Sequence, residues 1–143
     1  MFQEQIIEDR ENWNEIIEEF ISKDVYFTYD YFIPFKNNGD GHPVLYYFEC
    51  EYGKVAYPFM LRDIAKSQNF KGKLEENKHL DISSAYGYGG PLYESYEGEK
   101  SIVGLKEAFY SLTIDDQKIK KTAPLKNHRE AFEILIEELI SNQ

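Results

Sequence analysis

The densest patch of unusual chemistry in the chain is Tyr86-Gly-Tyr-Gly-Gly-Pro91. Glycine reaches backbone conformations with positive φ and lets another group approach the main chain closely, while tyrosine adds an apolar ring with a hydroxyl tip. Two readings follow. Gly87, Gly89 and Gly90 can serve a structural turn, and Tyr86 and Tyr88 can form the lip of a cleft that holds a polar or sugar-bearing ligand by stacking and hydroxyl hydrogen bonds. The two are compatible. Pro91 closes the segment and removes one backbone donor. Arg62, Asp81 and Ser83 complete the set of ligand-cleft candidates. Arg62 ends a predicted strand, where it either pairs with neighbouring Asp63 or faces an anion in the cleft. Asp81 and Ser83 lead into the glycine segment.

Catalytic chemistry is harder to place. Ser83 and Ser84 lack the Gly-x-Ser-x-Gly elbow of a serine nucleophile. Asp30 or Asp81 could act as a general base if burial raised its pKa, and the sequence selects neither. Cys50 stands between Glu49 and Glu51, which disfavour a thiolate, and reads as a small buried apolar residue on a face with Val44, Tyr46 and Phe48. His42, His79 and His128 have no metal-ligand spacing, and Asp115-Asp116 is not followed by an EF-hand pattern. No metal site is expected, and no catalytic residue is singled out.

These residues need a scaffold. Trp13, Ile16, Ile17, Phe20 and Ile21 recur at helical spacing and predict a helix from Asp9 to Ser22. Asp24–Thr28 reads as a short strand, and Tyr29–Lys36 as a helix with Thr28 as cap and Pro34 weakening its end. After the turn-rich Asn37–Gly41, residues 43–49 and 55–62 form a hairpin about Glu51–Lys54. Pro58 in its second strand cannot donate to a ladder, so that strand is unpaired or splayed on one side there. The Tyr46-Tyr-Phe48 run reads as sheet core. A polar connection, Ala65–Lys78, precedes a strand at Leu80–Ala85. Beyond the glycine segment comes a helix capped near Ser101 with Ile102, Leu105, Ala108, Phe109 and Leu112 inward. A strand at 117–121 would complete a right-handed βαβ unit with 80–85. Asn127 and Glu130 open a last helix with Phe132, Leu135, Ile136, Leu139 and Ile140 along one stripe. The expected architecture is α/β in the broad sense (α+β), a mixed, mostly antiparallel sheet flanked by helices.

With 143 residues the chain fits one domain, residues 1–143. Sixteen basic against 26 acidic side chains give a net charge of −10. That argues against holding a nucleic-acid backbone, which needs clustered Lys and Arg. The one basic run, Lys118, Lys120, Lys121 and Lys126, reads as a solvated face. No stretch approaches the ~20 apolar residues of a membrane helix. The acidic start, lacking a signal-peptide core, predicts a cytoplasmic protein with no membrane partner.

Three blocks, Asp24-Val-Tyr-Phe-Thr-Tyr-Asp-Tyr, Val55-Ala-Tyr-Pro-Phe-Met-Leu-Arg62 and Asp81-Ile-Ser-Ser-Ala-Tyr-Gly-Tyr-Gly-Gly-Pro91, resemble FemABX-type proteins of the GNAT acyltransferase superfamily. Those relatives are similar to tandem copies of one acyltransferase fold, and known members move amino acids from aminoacyl-tRNA onto a peptidoglycan precursor. The resemblance implies a GNAT-like domain matching the N-terminal half, with the second copy and the closing strand pair missing. Superfamily members hold a pyrophosphate between the fourth strand and the next helix on a Gln/Arg-x-x-Gly-x-Gly/Ala signature. Here no Gln or Arg leads the glycine segment, and Glu94, Glu97 and Glu99 crowd the way to the helix, so coenzyme A is not expected as a cofactor. The implied function is an acyltransferase-like domain without a complete active site, binding a partner or a small polar or glycopeptide ligand through the Tyr86–Pro91 cleft. The alternative is an active acyl- or aminoacyltransferase completed by dimerisation or a second subunit. A half-length copy is also expected to self-associate, most simply as a two-fold dimer.

Overall fold

The computed structural model describes residues 2–85 and 89–113. Tyr86, Gly87 and Tyr88 lie outside it. So do the strand expected at 117–121, the helix expected from Asn127, the lysine run, Asp115-Asp116 and His128. The described chain is an α+β fold in which helices cover both faces of a five-stranded antiparallel sheet. The elements are β1 (Phe2–Ile7), α1 (Arg10–Glu18), α2 (Tyr29–Asn37), β2 (His42–Cys50), β3 (Gly53–Asp63), β4 (Leu80–Ser83), β5 (Leu92–Ser95) and α3 (Glu99–Thr113). No helix among the described residues is long and apolar enough to cross a membrane.

The hairpin β2–β3 is the centre of the sheet, in register from His42 opposite Leu61 to Cys50 opposite Gly53. Six consecutive residues of β2, Pro43 to Phe48, are buried. A strand with one wet face alternates; a strand covered on both faces does not. Val44, Tyr46, Phe48, Val55, Phe59 and Leu61 pack on Leu105 and Phe109 of α3. Leu45, Tyr47, Ala56 and Met60 pack on Trp13, Ile17, Phe20 and Phe32 from the α1–α2 side. The Tyr46–Phe48 run is therefore core, as expected, with its side chains divided between two layers. Cys50 lies on the α3 side as expected, but half-buried.

Two strands escape the sequence reading. β1 pairs with β2 from Phe2 opposite Cys50 to Ile7 opposite Leu45, and β5 pairs with β3 from Ala56 opposite Leu92 to Gly53 opposite Ser95. Both are short and carry amides or acids, so their form comes from the partner strand rather than from their own composition. The remaining differences have local causes. Asp24–Thr28 is not a strand but a 3₁₀ turn, Val25–Phe27. The turn presents the Phe27 carbonyl to the buried Trp13 indole N–H at 2.8 Å. The Thr28 hydroxyl donates to the Val25 carbonyl and makes no cap bond to α2. α1 stops at Glu18, so Phe20 is buried from the following turn while Ile21 points out, 90 % exposed. Its N-cap is Asp9, whose carboxylate accepts from Asn12 N–H at 3.0 Å.

Pro58 accounts for the outer edge. β5 pairs with residues 53–56 of β3 and β4 with residues 60–63, so the two ladders meet β3 on either side of Pro58. β4 and β5 are one edge strand interrupted opposite a residue that has no N–H to give. The eight residues 84–91 span what three would fill, and they include the glycine segment.

The hairpin turn requires Gly53. Its φ is +154°, and a Cβ there would stand 2.1 Å from the Glu94 carbonyl oxygen in β5. Gly53→Ala is expected to cost about 2–3 kcal/mol, from strain plus the displaced ladder. Urea unfolding measures it, and a change below about 0.5 kcal/mol, within the usual scatter of surface substitutions, would contradict the close approach.

Candidate functional site

At the end of the sheet away from the hairpin turn, a cleft of about 840 Å³ opens between the loop after α2, the end of β3 and the connection that follows it. Arg62 and Asp81 line it and are register partners across β3 and β4. The Arg62 Nε donates to Asp81 Oδ1 at 2.7 Å, and its Nη2 donates to Asp81 Oδ2. The bidentate geometry follows from the ladder, which places two side chains of one face directly opposite. Hydrogen bonding to Asp81 raises the Arg62 pKa further, with Asp40 adding to the same effect. The expected partner of Arg62 was Asp63. A strand alternates its side chains, so adjacent residues point to opposite faces and the cross-strand residue wins.

Asp63 has a different task. It is 6 % exposed, and its two carboxylate oxygens accept from Ala65 N–H at 3.1 Å and Asn77 N–H at 2.7 Å. One buried side chain thereby pins both ends of the connection that forms the far wall of the cleft. Asn77 itself adopts a φ of 62°. Along that wall, the Ser67 carbonyl accepts from Phe70 N–H at 3.1 Å and Lys71 N–H at 2.9 Å, and Phe70 is 43 % exposed. The near wall is Asn38–Gly41, where Gly41 lies against the β3 backbone; a Cβ on it would meet the Leu61 carbonyl at 2.6 Å. The Asn37–Gly41 turn signal was legible in the sequence. Its place in a cleft was not, because nothing local says that residues 38–41 and 64–70 meet.

The structure brings together only part of the expected site. Ser83 shares a sheet face with Asp81 but stands opposite Met60 and does not line the cleft. Gly89, Gly90 and Pro91 do not line it either. Gly89 packs so closely on Ser84 that a Cβ would meet the serine Cβ at 2.2 Å, and Gly90 has a φ of +117°. Their glycines are thus required by the excursion itself; Tyr86, Gly87 and Tyr88 lie outside the described residues. The segment runs into β5, not into a helix N-terminus, so no helix dipole stands directly behind it. Glu94, expected to crowd the helix start, is in β5 and turned inward.

Asp30 is removed from the base candidates. It is exposed, bonds Arg10 Nε at 2.8 Å and Nη2 at 3.1 Å, and that hydrogen bonding holds its pKa below the usual range. Glu8 lies 2.7 Å from His42 Nε2. Among the described residues no group of three His, Cys, Asp or Glu side chains could hold a metal ion.

A second polar cluster occupies the hairpin end. Lys54, 9 % exposed, lies over the Phe20 ring at 4.7 Å, donates to the Glu19 carbonyl at 3.1 Å and pairs with Glu94 at 3.2 Å. Glu94 also accepts from Ile21 N–H at 2.8 Å. Beside it Glu49 accepts from Tyr96 Oη at 2.7 Å and Tyr47 Oη at 2.8 Å. This network ties the end of α1 to the sheet.

No family model, curated protein or solved structure matches this chain.

Two measurements test these assignments. Arg62→Ala is expected to cost less than about 1 kcal/mol in urea unfolding, since the pair is half exposed. Asp63→Ala is expected to cost about 1–3 kcal/mol by stranding two backbone donors, and equal costs would contradict the division of roles. The second concerns pH. The Tyr96 and Tyr47 bonds lower the Glu49 pKa, so its stabilisation is complete above the unfolded value of 4.5 and is lost as pH falls through the folded value. Burial raises the Glu4 pKa against the opposing bond from Tyr46, and among the described residues its buried Oε1 has no partner. Its penalty is present at neutral pH and relieved on acidification. Glu49→Gln should therefore flatten the acid limb of the stability curve, and Glu4→Gln should stabilise the protein at pH 7; opposite signs would refute the pairings.

Proposed function

We propose that this chain is an acyltransferase-like domain of the GNAT/FemABX type that works by binding rather than by transfer, and that it holds a small polar ligand in the Arg62–Asp81 cleft. The observation that carries this reading is the cleft itself. A bidentate pair of opposite charges projects from adjacent strands into a concave polar site, walled by two loops whose geometry is fixed by Asp63 and Gly41. The volume suits a ligand of small-molecule size. The pair is more open to solvent than the Lys54–Glu94 pair and costs little to perturb, so it is the more accessible of the two to a ligand.

The layering of helices on both faces of an antiparallel sheet supports the family resemblance. The excursion at residues 84–91 follows the fourth strand, where relatives hold a pyrophosphate, but it enters a strand and is built around Ser84–Gly89 contact. Acyl transfer needs a stabilised oxyanion and an activated donor. The described residues present an ion pair and amides instead, which suit recognition.

The test is a backbone-amide NMR titration with a small set of polar probes, a neutral disaccharide, muramyl dipeptide and glutamine, beside calorimetry with acetyl-CoA. At least one probe is expected to shift the amides of Asn38–Gly41 and Ile64–Phe70, and Arg62→Ala to abolish the shift. Saturable acetyl-CoA binding, or no shift with any probe, would overturn the proposal.

A further inference from the structure

Resting on the cleft as a polar-ligand site, we infer that its ligand class is a neutral saccharide, seated with a ring face on Phe70 and hydroxyls on the Arg62–Asp81 pair. Three features of the lining point there. The first is charge. Arg62 and Lys66 stand against Asp40, Asp63 and Asp81, so 2 − 3 = −1, on a chain of net −10. A phosphate or carboxylate approaching Arg62 meets two aspartates already in its field, since Asp81 holds its fork and Asp40 also acts on it. Like charges in a partly desolvated cleft repel, so an anion is selected against.

The second is the pattern of donors and acceptors. Asp81 holds the Nε–Nη2 edge of Arg62, which leaves the Nη1 hydrogens pointing away from the carboxylate as donors and the outer lone pairs of Asp81 as acceptors. Each sugar hydroxyl both donates and accepts. Hydroxyls spaced along a sugar can therefore use donors at one end of the pair and acceptors at the other, where a phosphate would leave the acceptors facing its oxygens. The neutral amides of Asn38, Gln68 and Asn69 extend the same mixed character around the cleft.

The third is Phe70. An exposed aromatic ring in a polar cleft needs a reason, and it is held out by the turn at Ser67 rather than folded into the core. A pyranose has an apolar face of C–H groups that stacks on an aromatic ring while its hydroxyls point sideways. Phosphate and simple carboxylates make no use of such a platform.

The experiment is an NMR titration of the chain with cellobiose, maltose and di-N-acetylchitobiose against glucose 6-phosphate, inorganic phosphate and glutamine. At least one disaccharide is expected to shift the amides around Phe70 and Gly41, and phosphate to leave them in place. Phe70→Ala should weaken that binding by several-fold to about tenfold, and Asp81→Asn, which keeps one acceptor, should weaken it while admitting glucose 6-phosphate more readily. Phe70 is exposed and Asp81 half-buried, and an unaltered urea midpoint confirms that both variants fold. Tighter binding of phosphate, glucose 6-phosphate or glutamine than of any disaccharide would overturn the saccharide class and leave the polar cleft standing. Equal disaccharide binding by Phe70→Ala would overturn the stacked pose, and silence from every probe would overturn both readings together.

Discussion

A proline in the middle of β3 constrains much of this structure. Pro58 cannot donate to a ladder, and the two outer-edge ladders lie on either side of it. The chain answers by leaving the sheet after Ser83 and returning at Leu92, which divides one edge strand into two anchored halves. Each half then supports a different end of the molecule. β4 carries Asp81 to Arg62 at the cleft, and β5 carries Glu94 to Lys54 at the hairpin turn.

The two ends are built on opposite energetic principles. Around Lys54 a cation is taken out of water, and burial of that kind is tolerable only because a carbonyl, a carboxylate and an aromatic face surround it. Removing Glu94 would leave the cation only the more distant Glu19 carboxylate at 3.7 Å. Around Arg62 the ion pair stays half in solvent and contributes little to stability. The molecule is held together where its charges are enclosed, and it keeps chemical freedom where they are open. Between them lies the sheet, with an apolar layer on each face, so neither end depends on the other through anything but a rigid ladder.

Much of this was legible in the residues. The hairpin followed from two β-rich runs around Glu51–Lys54, α2 from its turn-bounded length, the inward side of α3 from Leu105 and Phe109, and the interruption at Pro58 from the chemistry of proline. What escaped depended on partners distant in sequence. Phe2-Gln-Glu-Gln-Ile-Ile7 has the composition of a surface segment and becomes a strand because β2 offers it a row of free donors and acceptors. Leu92–Ser95 was absorbed into the approach to a helix for the same reason. Asp24–Thr28 has strand-like residues, and the demand of Trp13 for a hydrogen-bond acceptor bends it into a turn. For the cleft, single residues were identifiable and their company was not: Arg62 and Asp81 were candidates, while Phe70 carried no signal beyond being an aromatic residue in a polar stretch.

The divided edge strand has a consequence for how such a chain can change. Because the register of β4 is set against Met60–Asp63 and that of β5 against Gly53–Ala56, neither depends on the number of residues between them. Insertions or deletions in that interval leave both anchors where they are. The interval can therefore change in length, within what the close Ser84–Gly89 contact allows, while the recognition surface at one pole and the clamp at the other keep their shape, a modularity purchased by a single missing hydrogen.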